Sequence, residues 1–173
     1  MALSISMTTR PPRPREIDGK SYFFVTEDAF LQTQREGGLL EHAFVYGNYY
    51  GTPRSMVEEA RLAGRDVVLE IDIQGALQIK QSCPDAVFIF ILPPTMEELR
   101  KRITSRRSET AESINLRLGE ALKEISQIVE YDYFVVNDVL SEAVHRIAAI
   151  IKSEHSRVTE TVHDRIKKYQ EEL

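Results

Sequence analysis

Val87-Phe88-Ile89-Phe90-Ile91-Leu92 is the stretch that decides the fold class, because all six residues are apolar and a helical pattern follows them. Residues 67–69 and 134–136 form shorter runs of the same kind, each again followed by a helical pattern. Apolar strands of this type are buried on both faces, and their alternation with helices is typical of a parallel sheet. The sequence therefore predicts an α/β fold with a parallel-sheet core.

The helices that follow these strands carry their own start signals. Thr95 and Glu98 have the spacing of a capping box, and an apolar stripe from Ile114 to Ile125 predicts a longer helix after it. Ser141 is placed to cap the last main helix. We therefore expect a largely helical second half around its strands.

The first third of the chain has a different pattern, with three short strand signals over residues 3–7, 22–25 and 39–46. They predict a small antiparallel lobe, with a turn over residues 47–51. Thr26 is placed to cap a helix between two of these strands. Thr52 followed by Pro53 is a typical helix start, with a hydroxyl at the cap.

Composition excludes several functional classes. The chain has 173 residues, which fits one domain, and a formal net charge of -5, which argues against a nucleic-acid binder. Cys83 is the only cysteine, so neither an internal disulfide nor a cysteine-rich zinc site is expected. No apolar run reaches the roughly 18 residues of a membrane helix, and no export signal is visible. We therefore expect a cytoplasmic protein without a membrane partner.

A cluster of phosphate-binding residue types stands near the N-terminus. Arg10 and Arg13 lie on a proline-rich segment, and Tyr22 and the tyrosine-rich run 47–52 follow it. Arginine forks match phosphate oxygens bidentately and phenol hydroxyls add donors, so this set predicts a pocket for a nucleoside monophosphate. Taken alone, the arginine segment is also explained as a solvated basic loop or a polyproline ligand of an SH3-type domain. That alternative explains none of the motifs further along the chain.

Gly19-Lys20-Ser21 has the ending of a P-loop, but the rest of that motif is missing. The pattern Gly-x-x-x-x-Gly-Lys-Ser/Thr needs a glycine at position 14, where the sequence has Pro14. A P-loop also opens a helix, whereas residues 22–25 have a strand pattern. We therefore interpret residues 19–21 as a polar turn, and no other position in the sequence matches the motif.

Six motifs occur in order along the chain and carry a family resemblance. They are Thr8-Thr9-Arg10-Pro11-Pro12-Arg13-Pro14, Asp18-Gly19 before Tyr22-Phe23-Phe24, Gly47-Asn48-Tyr49-Tyr50-Gly51-Thr52, Glu70-Ile71-Asp72-Ile73-Gln74-Gly75, Ile91-Leu92-Pro93-Pro94 and Val136-Asn137-Asp138. In order and spacing they resemble guanylate kinases, and the bacterial enzymes most. The resemblance runs from about residue 3 to residue 154.

The resemblance implies the P-loop nucleoside monophosphate kinase fold, as a single guanylate-kinase-like domain over residues 1–173. The expected parts are a core at 1–7, 67–105 and 130–173, a small mixed GMP-binding lobe at 8–66 and a helical lid at 106–128. It also implies that the chain begins at the family's second strand and lacks the P-loop segment. We therefore expect it to bind GMP but to phosphorylate it poorly.

The implied activity is that of a transferase in purine nucleotide metabolism. A guanylate kinase moves the γ-phosphate of ATP to GMP, giving ADP and GDP, with Mg²⁺ as the cofactor of ATP. The expected partners are then these two nucleotides, and a homo-oligomer is left open. The alternative from another class is a guanylate-kinase-like scaffold module, which binds phosphopeptides and needs no working P-loop.

The resemblance also assigns residues to the GMP site. It places the GMP phosphate at Arg10, Arg13, Tyr22 and Tyr50 and the guanine base at Ser6, Glu41, Thr52 and Asp72. Guanine presents an acceptor at O6 and donors at N1 and N2, so hydroxyls suit the first and carboxylates the second. Taken singly, Glu41 is also explained as an exposed strand residue and Thr52 as a helix cap.

The remaining assignments concern ATP and catalysis. By resemblance, Glu70 lies near Mg²⁺ through water, Asn137 near the adenine of ATP, and the catalytic arginines are Arg102, Arg106 and Arg117. Such arginines neutralise charge on the transferring phosphoryl group, an effect of about 10³ to 10⁵ in rate for arginine fingers elsewhere. The alternative for each one alone is an arginine that faces water on an amphipathic helix.

Overall fold

The computed structural model describes residues 1–104, 111–159 and 162–172. The chain divides into two compact units, Met1–Ala86 and Val87–Leu173. Both units combine helices with parallel strand pairs, which confirms the α/β class. Among the residues that the structure describes, no helix has the length and apolar character needed to cross a membrane.

The first unit contains a four-stranded mixed sheet and a separate two-stranded pair. Its strands are β1 (Ala2–Leu3), β2 (Met7–Thr8), β3 (Phe23–Phe24), β4 (Leu39–Val45), β5 (Asn48–Pro53) and β6 (Val67–Val68). The order in the mixed sheet is β3-β2-β5-β4, with β2 parallel to β3 and antiparallel to β5. The other pair, β1 with β6, is parallel. The sheet is therefore mixed, and the prediction of an antiparallel arrangement is wrong for β2 and β3, which pair in parallel beside the antiparallel β4–β5 hairpin.

The β4–β5 hairpin turns at Tyr46 and Gly47 alone, which have φ values of 48° and 80°. Two consecutive residues with positive φ are typical of the type I′ turn, whose twist matches that of the paired strands. The prediction of a turn over residues 47–51 is wrong in extent, since the rest of that range belongs to β5. The aromatic residues there pack as strand residues, and Tyr49 stacks on Phe30 with ring centroids 5.3 Å apart.

The helices of the first unit are α1 (Glu27–Arg35), α2 (Arg54–Leu62) and α3 (Ile73–Ser82). Thr26 caps α1 as predicted, because its hydroxyl accepts a hydrogen bond from a backbone N–H of the first turn. The prediction that Thr52 caps α2 is wrong, since Pro53 takes the cap position without a side-chain bond. The hydroxyl of Thr52 instead donates to Glu41 at 2.6 Å.

The second unit contains strands β7 (Ile89–Leu92) and β8 (Tyr133–Val136), helices α4 (Met96–Thr104), α5 (Ala111–Ser126), α6 (Leu140–Glu154) and α7 (Val162–Glu171), and a 3-10 turn at Gln127–Glu130. β7 and β8 pair in parallel. Thr95 accepts from the Glu98 N–H at 3.1 Å, as expected for a capping box. The prediction that Ser141 caps α6 is wrong, because the helix already begins at Leu140 and Val139 holds the cap position.

The β7–β8 pair is buried on one face within its unit. Phe90 and Val135 lie in the core, whereas Ile91 and Phe134 are 46% and 62% exposed. The prediction of strands buried on both faces is therefore not met within this unit. The physical reason is that α6 packs on β8 from one side, while the described residues of the unit add no further strand.

Two other sequence predictions concern segments outside these elements. Gly19 has a φ of 71° and Asp18 forms an isolated bridge with Tyr22, so residues 19–21 form a turn as predicted. The division into core, lobe and lid stays a prediction. The expected lid begins at residue 106, outside the described residues, and its described part belongs mainly to α5.

Candidate functional site

Three of the four residues predicted to bind a phosphate lie together in the first unit. The rings of Tyr22 and Tyr50 meet edge to face with centroids 6.1 Å apart, and the guanidinium carbon of Arg10 is 5.5 Å from the centre of the Tyr22 ring. Thr8 pairs with Tyr50 across β2 and β5, and Arg10 lies two residues after the end of β2. The sheet thus brings together residues that are far apart in the sequence.

The Tyr22 hydroxyl is held in its neutral form. Burial raises its pKa, and the negative charge of Glu70 raises it further. A neutral phenol is a hydrogen-bond donor, so Tyr22 presents a donor beside the Arg10 cation.

Arg10 is held by a carboxylate that the sequence analysis did not single out. Its Nη1 and Nη2 donate to the two oxygens of Glu16 at 3.0 and 2.9 Å, and Nη1 also donates to the carbonyl of Pro11 at 2.6 Å. Hydrogen bonding in this pair raises the pKa of Arg10 and lowers that of Glu16. The available signal was an acidic residue that directly follows a segment with three arginines.

The same carboxylate closes the loop that carries both arginines. Glu16 accepts from the Arg13 N–H at 2.6 Å, and its own N–H donates to the Arg13 carbonyl at 3.0 Å. Arg15 between them has a φ of 76°, in the left-handed region that side chains other than glycine rarely occupy. These hydrogen bonds hold the backbone of Arg13, whereas the Arg13 side chain is exposed.

Two of the residues predicted to bind the base form a buried pair. Glu41 and Thr52 face each other across β4 and β5, and they are only 4% and 0% exposed. Thr52 donates to one oxygen of Glu41 at 2.6 Å. Burial raises the pKa of Glu41, the Thr52 bond lowers it, and the charge of Asp72 raises it again. The alternative of an exposed strand residue is therefore wrong for Glu41.

Asp72 and the start of α3 lie against this pair. Asp72 caps the helix by accepting from the Gly75 N–H at 2.9 Å. A Cβ on Gly75 would lie 2.3 Å from the second oxygen of Glu41, so any larger residue at this position would displace that oxygen. The β2–β5 register, extended by one residue, places Ser6 opposite Thr52. All four predicted base-binding residues therefore belong to one region of the first unit.

Gln78 joins α3 to the edge of β4, and no sequence pattern marks this residue. Its amide accepts from the His42 N–H at 3.1 Å and donates to the His42 carbonyl at 2.7 Å. The side chain thus pairs with the strand edge as a neighbouring strand would. Because Glu41 precedes His42 and Asp72 caps α3, this contact joins the two elements that carry the carboxylates.

The predicted residues of the second unit form a smaller group. Arg102 donates to Glu98 at 2.9 Å and to the carbonyl of Asn137 at 3.0 Å, so two of the predicted positions are in contact. Arg117 lies half-buried on α5. Arg106 lies outside the described residues.

The structure thus describes an α/β protein whose first unit brings together an arginine–tyrosine cluster and a buried carboxylate–threonine pair. Residues 1–154 match the guanylate kinase family. The chain belongs to this family, which confirms the resemblance seen in the sequence.

Individual relatives agree with this assignment. A guanylate kinase of Clostridium acetobutylicum is 53% identical over 165 residues, which are 95% of this chain and 77% of that protein. One of Clostridioides difficile is 45% identical over 171 residues, 99% of this chain and 83% of that protein. The crystal structure of guanylate kinase from Anaplasma phagocytophilum has a TM-score of 0.80 and 39% identity, covering 90% of this chain and 77% of that one. These matches do not favour the scaffold alternative.

Proposed function

We propose that the chain binds GMP as the phosphate acceptor of an ATP:GMP phosphotransferase. The observation that carries the proposal is the buried Glu41–Thr52 pair next to Asp72. Each of these two carboxylates accepts a hydrogen bond from the protein through one oxygen, and a ligand with hydrogen-bond donors would satisfy the other oxygens of this partly buried pair. The Watson–Crick edge of guanine supplies such donors at N1 and N2.

In this proposal Thr52 acts on the base through Glu41. Its only hydroxyl proton is donated to one oxygen of Glu41, so the second oxygen remains for a guanine donor. The O6 acceptor of guanine is then assigned to the hydroxyl of Ser6. Asp72 uses one oxygen to cap α3 and has the other for the base.

The same pocket would reject adenine. Adenine has a lone pair at N1, where guanine has a donor, and this lone pair would face a carboxylate. A site built to hydrogen-bond one ligand rejects the analogue that leaves its groups unpaired, by a factor of about 10⁴ to 10⁵ in known cases. Selectivity for GMP over AMP is therefore the property that this site would produce.

The phosphate of GMP is assigned to Arg10, Tyr22 and Tyr50, with the exposed Arg13 guanidinium free to approach from the loop. Charge-assisted arginine bonds and neutral phenol donors together satisfy a dianion. No general base is required, since the attacking phosphate oxygen is already ionised. Catalysis then consists of positioning and charge stabilisation, to which Arg102 and Arg117 would contribute.

The divalent metal of the ATP reaction fits the residues in a limited way. Among the described residues no group of three or more His, Cys, Asp or Glu could hold a metal by itself. Mg²⁺ usually keeps several waters and takes one or two carboxylates beside substrate phosphates. The exposed Glu70, whose charge acts on Tyr22, suits such a role, and the bound ion would neutralise charge on the phosphates.

Binding is the sharpest test of the proposal, since residues 1–173 contain no Gly-x-x-x-x-Gly-Lys-Ser/Thr segment for the phosphates of ATP. Isothermal titration calorimetry of the full chain with GMP and with a phosphoserine peptide separates the kinase from the scaffold function. We expect saturable one-to-one binding of GMP and none of the peptide. Binding of the peptide with no response to GMP would contradict the proposal.

A further inference from the structure

We propose that Glu16 is a positioning residue, which holds one end of the Arg10 guanidinium so that the opposite edge faces the phosphate of the ligand. The inference rests on the proposed GMP function and adds a residue to it. No motif in the sequence marked Glu16 for this role. The observation behind it is the hydrogen-bond inventory of Arg10.

A guanidinium group has five N–H donors in a rigid plane. Both hydrogens of Nη1 are used, by Glu16 and by the carbonyl of Pro11, and one hydrogen of Nη2 is used by Glu16. The N–H of Nε has no partner in the described part of the chain, and the second hydrogen of Nη2 is the donor left for the side-chain hydrogen bond with Tyr50 that also raises the pKa of Arg10. These two donors lie parallel along one edge of the group, and such a fork matches two oxygens of a phosphate.

The Arg10 side chain is largely buried, and its Nε lacks a partner within the described ranges. Arg10 Nε is buried and has no hydrogen-bond partner among the described residues, and the whole side chain is only 11% exposed. The rings of Tyr22 and Phe24 lie 5.5 and 5.8 Å from the guanidinium carbon, so the group is packed against two aromatic faces. A buried donor without a partner is unfavourable, and a ligand anion would complete it.

Glu16 is itself fixed by the loop that it closes. One of its oxygens accepts from both the Arg10 side chain and the Arg13 N–H, and the left-handed Arg15 turns the chain to allow this. If the phosphate displaced Glu16, it would break this backbone bond as well as the ion pair. A phosphate on the other edge of Arg10 breaks neither, so the contacts favour positioning over competition.

Positioning of Arg10 by Glu16 and competition of Glu16 with the phosphate predict opposite changes in GMP affinity when Glu16 is replaced. Glu16→Ala removes a negative charge from the neighbourhood of the phosphate, so Coulomb's law alone predicts tighter GMP binding. If Glu16 positions Arg10, the same change weakens GMP binding, because the guanidinium loses the contact that orients its fork. Guanosine has the same base without the phosphate, and its affinity should not change.

The experiment is calorimetric titration of the full chain with GMP and with guanosine. We expect Glu16→Ala to weaken GMP at least about tenfold, the order of effect of misaligning a charge-assisted hydrogen bond, with guanosine unchanged within about twofold. Glu16→Asp keeps the charge but is one methylene shorter, and it should also weaken GMP. Glu59→Ala removes an exposed acid from α2 of the same unit and should leave both affinities unchanged.

A double-mutant cycle gives the second readout. In an Arg10→Ala background, Glu16→Ala should have no further effect on GMP, since a positioning residue acts only through the group that it positions. Glu16→Gln, which preserves the size of the side chain, replaces the alanine variant if that variant melts early in circular dichroism. Unchanged or tighter GMP binding, or an equal loss for guanosine, would overturn the inference. Failure of the unaltered chain to bind either ligand would overturn the proposed function, and this inference with it.

Discussion

Replacement of Gly75 by alanine would test how α3 packs against Glu41. A Cβ at this position would lie 2.3 Å from Glu41 Oε2 and 2.9 Å from its Cδ, whereas ordinary contacts begin at 3.4 Å. The carboxylate would have to move by about 1 Å, the difference between 3.4 and 2.3 Å. Because Glu41 is buried and bonded to Thr52 at 2.6 Å, it cannot move that far without losing this hydrogen bond.

The expected magnitudes differ for stability and for binding. Alanine gains up to about 1 kcal/mol of helix propensity over glycine, while overpacking costs about 1 to 3 kcal/mol. The free energy of unfolding should therefore fall by about 1 kcal/mol. Each charge-assisted bond from the base to a displaced carboxylate is worth about 1.5 to 3 kcal/mol, so the GMP affinity should fall about ten- to a hundredfold.

Urea denaturation followed by circular dichroism and calorimetric titration with GMP measure the two effects. Gly119→Ala in α5 is the matched control, since a Cβ there meets nothing within 4 Å. It should raise stability by up to about 1 kcal/mol and leave GMP binding unchanged. A Gly75→Ala variant with the stability and GMP affinity of the unaltered chain would refute the described packing.

Three further predictions address single contacts. Because burial raises the pKa of Glu41, its contribution to stability is complete below the ordinary value of 4.5 and is lost as pH rises through the raised pKa. Glu41→Gln should therefore gain stability relative to the unaltered chain above pH 4.5, and a pH-independent difference in urea denaturation would contradict this. Arg15→Gly removes a left-handed arginine and should raise stability by up to about 1 kcal/mol in thermal unfolding, whereas a loss of that size would count against the loop geometry. Gln78→Leu leaves the His42 N–H and carbonyl unpaired and should speed hydrogen exchange of the His42 amide, so unchanged exchange would show that the Gln78–His42 hydrogen bonds are not formed.

Signals that are local in sequence predicted the fold well. Continuous apolar runs predicted strands β6, β7 and β8, and Thr26 and Thr95 cap helices as predicted. An apolar run and a helix cap both depend on residues that are close together in the sequence. The wrong cap at Thr52 has the opposite cause, since the partner of its hydroxyl lies eleven residues away and is brought there by the hairpin register.

The candidate site was predictable in composition but not in its internal contacts. Arg10, Tyr22 and Tyr50 do meet, although the roles assigned to them stay predictions. Glu16 and Gln78 were missed because each acts through a backbone group or an ion pair that exists only after the chain has turned. No periodicity or motif encodes such a contact.

In the proposed function, the first unit binds guanine selectively. Calorimetric titration of the full chain with GMP and with AMP under the same conditions tests it most directly. We predict saturable binding of GMP and an affinity for AMP that is lower by about 10³ or more, since adenine would leave the second oxygen of Glu41 without a donor. Equal affinities for the two nucleotides, or tighter binding of AMP, would contradict it.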